Sequence, residues 1–287
     1  MRHFPPGCHD PAHVNAHTHR RLWVHMRHQC FSLILTAVVC VVSGITTSPS
    51  VAQAEVAPNP LAITNGLYFH HSELTPVAVI IFTDRRGNAV ELCSGSLIGK
   101  RAVLTAAHCV REKTPRGTVY VGGVARKFKG ASIHPHYAPE GHFFDVAVLK
   151  LSKSIRTVQP AAVYTSSALP GGTQLSVFGY GNTETGRVGS LFMAYLPIGM
   201  YFHDGIYLMR VGSTNICFGD SGGPAAVLVN GRFTVVGVAS TIHYTAWGAW
   251  DTGIDICLNS SGMTFMNLSH PEISKFIRKK VKDAAFM

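Results

Sequence analysis

After residue 62 the apolar residues come in short runs broken by turn residues, and this rhythm limits what the chain can fold into. The runs 77–82, 91–98, 101–105, 119–124, 146–151, 174–179, 190–196, 225–229 and 233–239 each read as one strand, with 85–88 as a turn. Many short strands at regular spacing predict an all-β sandwich or barrel. The one helical pattern is terminal, 270–284. His270-Pro271-Glu272 opens it, and Ile273, Phe276, Ile277 and Val281 fall on a single face. The segment 160–172, with Leu169-Pro170-Gly171-Gly172, reads as the crossover between two halves.

Composition supports a folded, turn-rich domain. Of 287 residues 46% are hydrophobic and 14% charged, so a sizeable core forms and disorder is excluded. The formal charge is +10, of which Arg2, Arg20, Arg21 and Arg27 against Asp10 contribute part; the remainder carries 21 bases and 14 acids. That excess reads as general surface charge. A nucleic-acid partner would call for a basic patch mixed with exposed aromatics, and the dense run from Lys275 to Lys282 reads instead as the solvated face of the terminal helix.

The N-terminus has the order of an export signal. Arg27 and His28 precede the uncharged run 30–45, and Val51-Ala52-Gln53-Ala54 follows with small residues where a signal peptidase inspects the chain. The run is short for a bilayer span, so no membrane segment is expected to be retained. Residues 1–54 are thus read as a signal peptide. The histidine-rich stretch 1–25 is read as lying upstream of a true start at Met26, in preference to a metal-binding tract.

Seven cysteines are present, and Cys8, Cys30 and Cys40 fall in the segment expected to be lost. The other four, Cys93, Cys109, Cys217 and Cys257, suit disulfides in an exported chain, and they allow three pairings. They are too dispersed for a structural zinc site. No metal and no cofactor is expected.

The densest chemical signal is Gly219-Asp220-Ser221-Gly222-Gly223-Pro224. Glycines on both sides of a serine place it on a tight turn and leave backbone N–H groups free to face a developing oxyanion. A serine hydroxyl needs a base to take its proton. His108, after the run 101–105 and beside Cys109, is the candidate base. The imidazole in turn needs an acceptor that fixes its tautomer. Asp145 leads an apolar run where a carboxylate would be costly without a partner. The order along the chain is His, Asp, Ser.

In these residues and their flanks the chain resembles the chymotrypsin–trypsin family of serine peptidases. The resemblance is carried by Ile63-Thr64-Asn65-Gly66, the segment 93–98, Leu104 to Cys109, Asp145 to Leu151, Phe178-Gly179-Tyr180-Gly181 and Cys217 to Pro224. It implies two six-stranded antiparallel β-barrels, about 63–160 and 161–268, with a cleft between them. It implies His108 as general base, Asp145 as its orienter, Ser221 as nucleophile, and the N–H groups of Gly219 and Ser221 as the oxyanion hole. It pairs Cys93 with Cys109 and Cys217 with Cys257. It also implies a zymogen: residues 55–62 form a short propeptide, and cleavage frees an Ile63 ammonium to pair with Asp220. A polypeptide is the implied substrate and a protein inhibitor a further partner. The alternative is a catalytically silent binding protein of the same fold.

The chain departs from the family at its specificity pocket. The floor position holds Asn215 where a carboxylate would select Arg or Lys, and the walls hold Ser240, Thr241 and Ile242, with Ile242 replacing a glycine. A small or medium uncharged side chain is the expected occupant. The long stretch 242–255 carries Trp247 and Trp250, read as part of a substrate rim, as a contact with another protein, or as packing under a long loop.

Overall fold

A computed structural model describes residues 63–110, 116–186, 188–244 and 254–287. The expected signal peptide and propeptide, and the two tryptophans of the long stretch, lie outside the described residues. Among those described, no helix is long and apolar enough to cross a membrane.

A two-residue strand β1 (Leu67–Tyr68) leads into the first barrel. Its strands are β2 (Val77–Thr83), β3 (Ala89–Gly99), β4 (Ala102–Thr105), β5 (Arg116–Val121), β6 (Val124–Ile133) and β7 (Ala147–Leu151), closed in the order β2-β3-β4-β7-β6-β5. The short β8 (Ala162–Val163) follows, within the expected crossover. The second barrel is built from β9 (Gln174–Gly179), β10 (Phe192–Phe202), β11 (Gly205–Met209), β12 (Pro224–Val229), β13 (Arg232–Tyr244) and, after the short helix α1 (Ile254–Leu258), β14 (Ser260–Asn267). Their order β12-β9-β10-β11-β14-β13 closes through the β12–β13 pairing, and all six neighbours are antiparallel. The chain ends in α2 (Pro271–Lys280) and β15 (Ala285–Phe286), with β8 pairing parallel to both β13 and β15. Two six-stranded antiparallel barrels are therefore present, as the resemblance implied.

Several local expectations need correction. The run 119–124 is not one strand. Gly122 and Gly123 both have positive φ, +59° and +73°, and form a two-residue hairpin loop that sets Val121 opposite Val124. The strand β6 behind that turn is not legible in the apolar pattern because only Phe128 of its ten residues is buried, so its sequence reads as polar surface. Strands β11 and β14 were also missed. Gly262 in β14 lies under the Tyr207 ring of β11, where a Cβ would collide with the phenol, so packing decided a residue that propensity disfavours in a strand. The terminal helix stops at Lys280 rather than 284; Val281 caps it in an extended conformation, a turn follows, and β15 begins only at Ala285.

Helix α2 has local support: Pro271 in its first turn, Glu272 near its N-terminus and Arg278, Lys279 and Lys280 in its last turn match the helix dipole. Ile273, Phe276, Ile277 and Val281 are buried together with first-barrel residues such as Leu97 and Val103. Each such side chain contributes roughly 1.5–3 kcal/mol on burial. The helix that follows the second barrel thus returns to the first, and the Asp283 carboxylate accepts the Lys100 N–H at 2.9 Å beside it. The same cluster takes in Val238 and Met266 of the second barrel, so the terminal segment packs against both.

Candidate active site

His108 sits one turn beyond β4, and the Cys93–Cys109 disulfide ties that turn to β3. Its ring Nδ1 lies 2.6 Å from Asp145 Oδ2, and its backbone N–H donates to Asp145 Oδ1 at 2.8 Å. Asp145 is fully buried at the entry to β7. A third donor comes from the second barrel, the Ser240 hydroxyl, at 2.6 Å from Oδ2. Burial by itself would raise the carboxyl, but the hydrogen bonds and the charge of His108 outweigh it and hold Asp145 well below the usual carboxylate range.

The segment before Asp145 is strained. His142 and Phe144 both lie in the left-handed region, at φ +52° and +50°. Non-glycine residues there cost about 1–3 kcal/mol and persist only where surroundings hold them. Phe144 is held twice. Its ring stacks on His134 at 4.9 Å and 7°, and its N–H donates a short hydrogen bond to Asp204 Oδ2 from the β10–β11 hairpin. Asp204 is itself almost fully buried. His142 Nδ1 comes within 3.6 Å of Asp145 Oδ2, and that carboxylate raises the His142 imidazole above its ordinary value.

Ser221 occupies the turn before β12. Gly219 and Gly222 take φ +96° and +83°, which supply the reversal around it. A Cβ on Gly222 would overlap Thr105 and the Ser94 carbonyl, so the turn packs directly on the strand that leads to His108. Ser94 bolts the two together. Its N–H donates to the Ser221 carbonyl at 2.8 Å, its hydroxyl donates to the Gly219 carbonyl at 2.9 Å, and that hydroxyl accepts the Tyr180 N–H at 2.9 Å. His108, Ser221, Gly219 and Ser240 all line one cleft of about 460 Å³, with Leu92 and Cys93 from the first barrel and Phe218 from the second.

Asp220 is also fully buried, and its carboxylate accepts the N–H groups of Gly181 and Cys217, each at 2.8 Å. Burial pushes it up to about 7, partly opposed by those two bonds. The glycines expected in the 178–181 stretch have their reason here, because a Cβ at Gly179 would overlap that carboxylate. Ile63 is fully buried in the second-barrel core, and Thr64 next to it bridges Asn215.

The pocket residues divide. Ser240, Thr241 and Ile242 line the cleft, whereas Asn215 lies behind its wall, fully buried, and Ile216 faces the cleft in its place. The bridge to Thr64 fixes the Asn215 backbone, and Asn215 Nδ2 donates to the Cys257 carbonyl at 3.1 Å. The Cys217–Cys257 disulfide closes the same side. Sequence reasoning missed Ser94 and Asp204 as supports, and His142 as a neighbour of Asp145. No spacing rule singles them out, since their contacts span 125, 60 and 3 residues.

The family model for trypsin matches residues 70–253. The alkaline trypsin B of Manduca sexta is 27% identical over 219 residues, covering 66% of this chain and 84% of the relative. The trypsin of Phaedon cochleariae is 28% identical over 238 residues, 72% of this chain and 88% of the relative. Trypsin-2 of Salmo salar is 32% identical over 164 residues, 49% and 70%. Among solved structures, HL collagenase aligns with a TM-score of 0.61 at 21% identity, over 76% of this chain and 98% of its own, a likeness of fold. With the family matched over most of both barrels, and a serine and an Asp-bound histidine lining one cleft, the chain belongs to the trypsin family of serine endopeptidases.

Proposed function

We propose that Ser221, His108 and Asp145 act together to cleave polypeptides by acyl transfer. The observation that carries this reading is the 2.6 Å contact between the buried Asp145 carboxylate and His108 Nδ1, on the same cleft as Ser221. That bond leaves the other ring nitrogen as the base. Ser221 Oγ attacks the scissile carbonyl carbon and its proton passes to His108. The N–H groups of Gly219 and Ser221 receive the oxyanion; among the described residues neither donates to another group. Collapse expels the amine, which takes the proton from His108, and water repeats the cycle on the acyl-enzyme.

The enzyme is exported and made as a zymogen. Asp220 supports this part: a buried carboxylate whose partners are two neutral N–H groups gains from an ammonium. Cleavage before Ile63 supplies one. The side chain accepted in the pocket is small or medium and uncharged, given the uncharged Ile216, Ser240 and Thr241 and the Ile242 side chain on the wall.

A fluorophosphonate probe tests the core of the reading. After cleavage before Ile63, labelling should occur on Ser221, vanish in Ser221→Ala and slow by orders of magnitude in His108→Ala. No labelling of the cleaved wild type would reject it. Cleavage of a mixed peptide library tests the pocket, and a dominant Arg or Lys preference would overturn that part.

A further inference from the structure

Among the described residues, three metal-ligating side chains converge at one place. A nitrogen from each of His108 and His142 and a carboxylate oxygen of Asp145 lie within 4.8 Å of one another. His142 is not needed to hold Asp145, which already takes three hydrogen bonds from His108 and Ser240. Its Nδ1 is shielded from solvent and has no hydrogen-bond partner, and its 3.6 Å separation from Asp145 Oδ2 is too long for one. The two imidazoles stand edge to face at 5.5 Å. A buried ring nitrogen aimed at a carboxylate, across a gap too wide for a shared proton, has the spacing of two ligands to one cation.

We propose that His108, His142 and Asp145 form an inhibitory site for a zinc-like divalent ion. The inhibitory effect rests on the role given above to His108. Two imidazoles and a carboxylate match zinc in ligand type, whereas calcium and magnesium favour all-oxygen sites. Ligands on a tetrahedral zinc, with bonds of about 2.0–2.1 Å, stand about 3.4 Å apart, so small ring rotations bring the present set to that spacing. The Ser240 hydroxyl and the His108 N–H are the outer partners that orient the carboxylate. The His142 side chain is 40% exposed and lines the cleft, so the ion enters from there and its fourth position faces the cleft. An imidazole bound to the ion no longer moves a proton between Ser221 and the leaving amine. Occupancy therefore stops turnover, and a chelator restores it.

Two measurements test this separately from the proteolytic reading. On the cleaved enzyme, zinc chloride should slow both peptide turnover and fluorophosphonate labelling, EDTA should reverse the effect, and magnesium chloride should not reproduce it. His142→Leu should raise the half-inhibiting zinc concentration at least about tenfold, the scale of a lost metal contact, and leave labelling without zinc nearly unchanged. On the full Ser221→Ala chain, equilibrium dialysis against zinc should show one equivalent fewer bound once His142→Leu is added. That difference cancels zinc held by other histidines and requires no catalysis. Equal zinc inhibition of wild type and His142→Leu, or equal zinc bound with and without His142, overturns the proposal. A lost equivalent in a protein that never labels would overturn the proteolytic reading and leave the ion site.

Discussion

Asp145 in the first barrel and Asp220 in the second are two wholly enclosed carboxylates, each next to residues of the shared cleft. Asp145, in the first barrel, receives a ring nitrogen, a backbone N–H and a hydroxyl, and it stays ionised below the usual carboxylate range. Asp220, in the second, receives only two backbone N–H groups, and burial pushes it up to about 7. Both are fully enclosed, so depth does not explain the difference. A charged or chargeable partner does. Burial strengthens a hydrogen bond to an ion, but it also removes the water that neutral amides would have to replace. The first site is complete in the uncleaved chain. The second holds a carboxylate that no cationic group among the described residues meets.

The largest effect expected from this contrast is at Asp145. Asp145→Asn should lower kcat by roughly 10⁴-fold with KM little changed, because the amide cannot hold the imidazole in its working tautomer. Steady-state kinetics on a peptide substrate checks it, and a loss under tenfold would erase the distinction drawn between the two carboxylates. Asp220→Asn should slow labelling of the cleaved enzyme by about a hundredfold to a thousandfold, the scale of a lost oxyanion donor. In the uncleaved chain the same substitution should act on pH dependence. Asp220 titrates higher when folded than its ordinary 3.8, so its contribution is present below that value and is lost as pH rises through about 7. Asp145 titrates lower when folded, so its contribution is present above 3.8 and is lost as pH falls. Urea unfolding from pH 3 to 8 should show the decline toward neutrality vanish in Asp220→Asn while the acid-side loss remains.

Two smaller effects sharpen the comparison on the Asp145 side. Asp204→Ala removes the acceptor for the Phe144 N–H and should lower kcat about tenfold to a hundredfold, as expected for a hydrogen bond to a charged group worth about 1.5–3 kcal/mol. Asp204→Asn, which keeps an acceptor oxygen, should recover most of that loss, with melting temperatures measured alongside. Ser240→Ala should cost about tenfold or less, since two donors to Asp145 remain.

The residues read as carrying chemistry were legible because each lies in a contiguous stretch whose local physics points one way. Around Ser221 the glycines at 219 and 222 are required by positive φ, and Asp145 heads an apolar run. The strands with alternating or continuous apolar runs were legible for the same reason. Strand β6, with one buried side chain, and β14, with a glycine under a tyrosine ring, were not, because what holds them lies on other strands.

By itself, the sequence determined an all-β chain whose turns present a serine, a histidine and an aspartate, since backbone preference and burial patterning act over a few neighbouring residues. Only the tertiary structure decided which groups complete the site: Ser94 under the nucleophile turn, Asp204 behind Phe144 and Ser240 across the cleft. It also set His142 beside Asp145 without a hydrogen bond between them. Ser94, Asp204 and Ser240 meet their partners only when distant segments are brought together, and His142 faces Asp145 only because a strained turn points it there. Hydrogen bonds and ion pairs act over a few ångströms of space, and neither separation along the chain nor residue type alone records which of them will form.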